Sequence, residues 1–237
     1  MNRRHFSLML LAPAAAAAQA QTAEGRSYSL GPFDAVEIGG AADVKLQQGS
    51  VDEVFVEGPE EVQKNVELRV RDGVLRVEST GGWKFWNSRR ARFVVTLRQI
   101  TRLSISGAGE LHAPGPLKLG RLAVNISGAG LARLDQVQAE QLAFSASGSG
   151  DAELAGSVAE LGISVSGRSN VRAENLAARR ARVSIAGIGD VKLWASEELS
   201  ISVSGVGRVE YWGTPQVRRA SSGVATVVDR GAKAAPP

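Results

Sequence analysis

The chain has 237 residues, 43% of them hydrophobic and 5% aromatic, with 27 Gly, 2 His and no Cys. That apolar content excludes a disordered chain, and the length suits one domain or two. The missing thiols exclude a disulfide framework, thiol catalysis, Cys-based metal sites and a lipid-modified N-terminal Cys.

Residues 1–20 read as a cleaved export signal. Arg3 and Arg4 make a basic start, Leu8 to Ala18 an apolar run, and Ala18-Gln19-Ala20 the small-x-small cleavage pattern. Arg3-Arg4 with Phe6 resembles a twin-arginine signal, and an ordinary secretory signal fits as well. The apolar run is too short for a membrane anchor. Removing it takes two arginines and no acid, so 26 basic residues face 24 acidic ones and the whole-chain charge of +4 falls to +2. Nucleic-acid binding, which needs a clustered basic face, is not expected. The address implied is periplasmic or extracellular, with no membrane span in the mature chain.

After a linker over 21–30, residues 31–100 alternate as strands. Examples are Phe33 to Ile38, Asp43 to Leu46, Glu53 to Val56 and Val66 to Val70, with Asp72-Gly73 as a hairpin turn into Val74 to Val77. From 101 to 228 a Ser/Ala-Gly pair recurs. Its glycines are Gly107, Gly128, Gly148, Gly167, Gly187, Gly205 and a degraded copy at Gly223, in steps of 21, 20, 19, 20, 18 and 18. Apolar positions alternate around each pair, as in Leu122, Val124 and Ile126, and no amphipathic helix separates the copies. The pattern predicts an all-β right-handed parallel β-helix of ~20-residue coils with a β-rich N-terminal cap. A β-sandwich of regular hairpins explains the matched corners less well. Glycine at each corner is expected to supply positive φ and close coil approach. The tail 229–237 is expected to be disordered.

Gly31-Pro32-Phe33-Asp34-Ala35-Val36, Asp43-Val44-Lys45-Leu46-Gln47-Gln48-Gly49, Asp72-Gly73-Val74-Leu75 and the repeated Ser-Gly-Ala-Gly resemble the head GIN domain family. These exported bacterial proteins are described as "putative auto-transporter adhesins" and otherwise form a domain of unknown function. The resemblance runs from about Gly31 to Val228. It implies a β-helix-like fold in an envelope or extracellular setting and brings no catalytic residues. Many relatives carry a lipid-attachment Cys that this chain lacks.

Four groups are candidate sites. The segment Trp83, Phe85, Trp86, Arg89, Arg90 and Arg92 suits an anionic polymer or lipid headgroups, or else a hairpin packed on the cap. Trp194 and Trp212 each lie five residues after a glycine and should stack on neighbouring coils, as a sugar platform or an end cover. A column after each corner holds Glu110, Leu131, Asp151, Asn170, Asp190 and Arg208. Its two aspartates, roughly 9–10 Å apart, suggest a carboxylate pair of the glycosidase kind or plain turn exits. Gly-x-Gly-Asp at 148–151 and 187–190 lacks the nine-residue period of a calcium β-roll. His112 in the mature chain is the one candidate base, beside Pro114-Gly115-Pro116. No cofactor or metal is expected. The leading expectation is a non-enzymatic binder of a cell-surface glycan or envelope polymer; the alternatives are a polysaccharide hydrolase or lyase and a structural scaffold.

Overall fold

The structure, a computed structural model, describes residues 24–79 and 91–233. The expected export signal over 1–20 and most of the aromatic–basic segment, including Trp83, Phe85, Trp86, Arg89 and Arg90, lie outside the described residues.

The first strands are β1 (Gly25–Tyr28), β2 (Ala35–Ile38), β3 (Ala42–Gln48) and β4 (Glu53–Glu57). A single helical turn, α1 (Glu60–Gln63), leads to β5 (Val66–Arg71), β6 (Val74–Ser79), β7 (Ala91–Leu97) and β8 (Arg102–Ile105). Five long strands follow: β9 (Glu110–Ile126), β10 (Leu131–Ala146), β11 (Asp151–Val165), β12 (Arg168–Ile185) and β13 (Ile188–Val203). The chain closes with β14 (Val206–Trp212), β15 (Gln216–Ser221) and β16 (Val224–Asp229).

Strands β9 to β13 pair in parallel, each with the next. Parallel neighbours normally need a helical crossover. Here the circuit of the coil itself is the crossover, and the result is a β-solenoid of about six turns. Inward residues bury one continuous core, for example Leu122, Val124 and Ile126 on one coil and Leu142, Phe144 and Ala146 on the next. Register shifts after Leu134, Glu153 and Ala173 absorb the differences in coil length.

The corner glycines have a sharper reason than the sequence suggests. None of them is among the described glycines with positive φ. Close approach alone requires them: a Cβ on Gly148 would lie 2.2 Å from the Gly128 carbonyl oxygen, and one on Gly167 2.0 Å from that of Gly148. The column begins earlier than the repeat, at Gly40, whose oxygen would meet a Cβ of Gly107 at 1.8 Å. Five corners carry a second glycine two residues on, at 109, 130, 150, 189 and 207, and it faces the core: a Cβ on Gly150 would strike Ile126 Cγ2 at 2.3 Å.

Residues 31–100 divide between stack and cap. β2 lies in parallel between β6 and β8, and β3 between β7 and β9. Residues 35–48 are therefore a coil threaded between two coils that follow each other later in the chain. β1, β4 and β5 pair antiparallel and, with α1, finish the N-terminal end. Asp72 (φ 50°) and Gly73 (φ 74°) form the expected two-residue turn between β5 and β6.

At the other end, inward positions turn polar. Arg219 pairs in register with the core residue Ile201, and Ser221 with Val203. Inward-facing polar residues protect a strand edge against pairing with another chain. Asp229 receives the Tyr211 hydroxyl at 2.9 Å, and the Arg230 amide donates to the Tyr211 carbonyl, holding the last coil down.

Candidate functional site

Because the coils stack in register, outward residues at one offset from the corner glycine form columns. The column after the corner runs Glu110, Leu131, Asp151, then Asn170, Asp190 and Arg208. Asp151 Oδ1 accepts the Asn170 amide at 2.8 Å, a bond that ties this coil to the next. Asp190 Oδ1 is buried with no hydrogen-bond partner among the described residues. His112 has a partner that its sequence neighbours do not reveal: its Nε2 lies 2.7 Å from Asp135 Oδ2, on the exposed surface.

Trp194 and Trp212 are paired in register as their spacing predicts. They are not an open platform: Trp194 is 6% exposed and Trp212 half-buried. Lys233 Nζ sits 5.5 Å from one ring centroid and 5.6 Å from the other, and donates to the Glu174 carbonyl and to Asn175 Oδ1. The tail thus lies across the rings, with a cation held by two π faces.

Arg92, exposed on β7, faces Asp43 and Glu57 in register. β6 ends and β7 begins beside the Gly40 corner, as the pairs Ile38 with Val77 and Ala42 with Ala91 require.

The lateral wall ending at the glycine corners carries two polar rows: Asn125, Ser145, Ser164, Ser184 and Ser202, and Ser106, Ser127, Ser147, Ser166 and Ser204, the second interrupted by Ala186. Next to them a groove of about 290 Å³ runs along the stack across four coils. One bank is Glu160, Arg180, Glu198 and Gln216; the other is Gly162, Arg182, Ser200 and Arg218. Arg180 is committed, donating to Glu160 Oε1 at 2.5 Å and lying 3.9 Å from Glu197. The Arg180 guanidinium holds the Glu160 carboxyl below its ordinary range. Arg182 and Arg218 make no hydrogen bond or ion pair among the described residues; Arg182 only adds, at longer range, to the positive field that lowers Glu160. Sequence reasoning missed this bank, although its members share a signal: each lies five residues before a corner glycine.

A second hollow, of about 400 Å³, is bordered by Phe33, Asp52 and Arg98. Arg98 donates to Asp52 from its backbone amide, Nε and Nη2, so their charges cancel there. The described residues gather no set of three His, Asp or Glu able to hold a metal ion.

These features define a capped parallel β-solenoid whose surface is organised in columns of polar side chains. The chain belongs to the family described as "Putative auto-transporter adhesin, head GIN domain", which matches residues 32–215. Among solved structures it is similar in fold to a "putative adhesin" from Bacteroides fragilis, at 23% identity and TM-score 0.82, covering 88% of this chain and 97% of that one. A "putative lipid binding protein" from Parabacteroides distasonis gives 20% identity and TM-score 0.70, covering 89% and 97%. A "putative adhesin" from Parabacteroides merdae gives 18% and 0.66, covering 89% and 97%. Among curated proteins nothing matches the chain. The family is thus one of adhesin-like domains.

Proposed function

We propose that the mature chain is a non-enzymatic binding domain of the bacterial periplasm or cell surface, delivered by the signal over 1–20 and holding a glycan or other envelope polymer along its lateral face. The register-matched columns carry this reading: they offer evenly spaced hydroxyls and charges suited to a repeating ligand. Family membership supports the adhesive role and the exported setting. Trp83, Phe85, Trp86, Arg89, Arg90 and Arg92 form a second proposed contact, whose three aromatic rings and three guanidinium groups suit an anionic polymer.

The test is retention of purified residues 21–237 on bacterial cells and envelope fragments. Saturable retention supports the reading, and none at any concentration rejects it. Weaker retention of W83A/W86A/R89A/R90A would assign that segment; unchanged retention removes it. The hydrolase reading with Asp151 and Asp190 predicts release of reducing sugar that D151N/D190N abolishes. A chain that releases none from the polysaccharides it binds is a binder.

A further inference from the structure

The geometry points to the Arg182–Ser200–Arg218 bank as a site for a linear anionic polysaccharide, one whose carboxylate or phosphate-ester groups repeat along the sugar chain. This inference rests on the proposed reading as a surface-binding domain and names its ligand class.

The starting point is an asymmetry between the two banks. In the first, acids alternate with Arg180, and the strong pair Arg180–Glu160 is internally neutral. In the second, Arg182 and Arg218 stand without any acid in their own column, with Ser200 between them in register and Gly162 beyond. Strand spacing puts these two arginines about 9–10 Å apart. Each guanidinium is exposed and presents a planar fork that matches a carboxylate or phosphate in two parallel hydrogen bonds.

The groove makes the pair a track. Gly162 carries no side chain and leaves the groove open beside the arginines, and the next residues of the same column, Ala143 and Ala123, are also small. Beside it stand the serines 164, 184 and 202, exposed hydroxyls at one per coil. An extended sugar chain laid along the stack meets hydroxyls at the strand spacing on one side and, on the other, two cations set two coils apart, Arg182 and Arg218. A rigid periodic surface favours a periodic ligand, because the same contact recurs without further ordering of the protein.

The chemistry argues against a lipid surface. The exposed large apolar side chains among the described residues are Val51, Ile188, Val206 and Val224, and none lines the groove. An insertion surface would need apolar side chains beside the cations.

The experiment uses residues 21–237 with polygalacturonate as the carboxylate probe, a phosphate-ester-bearing mannan as the phosphate probe and neutral galactan as the control, by titration calorimetry or biolayer interferometry. Binding of at least one anionic probe and not of galactan is expected, and the probe that binds identifies the acid group. R182A/R218A should weaken it about tenfold or more, with an unchanged circular-dichroism melt. R182K/R218K should fall between, because the charge is kept and the fork lost. R26A/R168A, which removes two exposed arginines elsewhere, should bind like the parent. Equal weakening in R26A/R168A would mean general charge attraction and would overturn the site, as would binding of polyglutamate as tight as of the polysaccharides. If envelope fragments are retained but neither anionic polysaccharide binds, this inference falls and the broader reading stands. If envelope fragments are not retained either, both fall.

Discussion

A methyl group on Gly128 would lie 2.0 Å from the carbonyl oxygen of Gly107, one coil below. The two residues are stacked so closely that no side chain fits between coils, and the same relation repeats to Gly223. A coil cannot move apart at one corner without stretching bonds such as Ala129 N–H to the Gly107 carbonyl, 2.9 Å long. G128A or G167A should therefore destabilise by about 1–3 kcal/mol or more, as overpacking of a fixed core does. G120A is the matched control, because nothing lies within 4 Å of the Cβ it adds. Urea unfolding should separate the two classes clearly; equal midpoints would refute the steric account.

Phe144 is one of the two largest fully buried side chains among the described residues, and its register neighbours are Val124 below and Ile163 above. The coil around it has only this aromatic ring with which to fill its middle. F144A should cost about 3–5 kcal/mol through lost burial and the cavity left behind. F144L, nearer in volume, should cost far less. Thermal melts of the three proteins would check the order.

The solenoid was legible because its cause is local and repeated: alternation marks the strands and the paired glycines mark the corners. The role of those glycines was only half legible, since a sequence shows that a side chain is missing and not whether φ or a neighbour forbids it. Gly40 was missed as the first corner because 67 residues separate it from Gly107, a gap filled by the cap and one further coil. That threading is a long-range pairing with no periodic trace. The partners of His112 and Trp194, Asp135 and Lys233, were equally hidden, since each meets its residue through stacking or a returning tail. The column of Asp151, Asn170 and Asp190 could be written down directly, because constant offset from the corner is all that it needs.

Lys233 over Trp194 and Trp212 makes the tail part of the terminal coil. Replacing it with alanine removes a cation shared by two rings, worth about 0.5–2 kcal/mol. K233A should loosen the C-terminal end first, seen as a red shift and earlier melting of indole emission in a W83F/W86F background, while the far-UV signal of the remaining coils melts later. K233R should keep most of the effect because the charge stays near the rings. Identical emission and melting in K233A and the parent would show that the contact holds nothing.

Acid should open the same end. Glu210 is 4% exposed and accepts Arg230 Nε and Arg208 Nε, each at 2.8 Å. Arg230 foremost, then Arg208, holds its carboxyl below the usual range. Asp229 is lowered as well, by the Gly231 amide and then the Tyr211 hydroxyl. A carboxylate lowered on folding stabilises fully above its unfolded value and loses that contribution as pH falls through the folded one. Stability of the terminal coil should therefore be level from neutral pH down to the ordinary carboxylate range and then decline. Indole emission followed against pH should report the opening before the far-UV signal changes. E210Q should be less stable at neutral pH and show a shallower acid decline, since the titrating group is gone and the two arginines have lost their anion. An E210Q protein with the parent's neutral stability and the same acid profile would move the acid sensitivity to some other group.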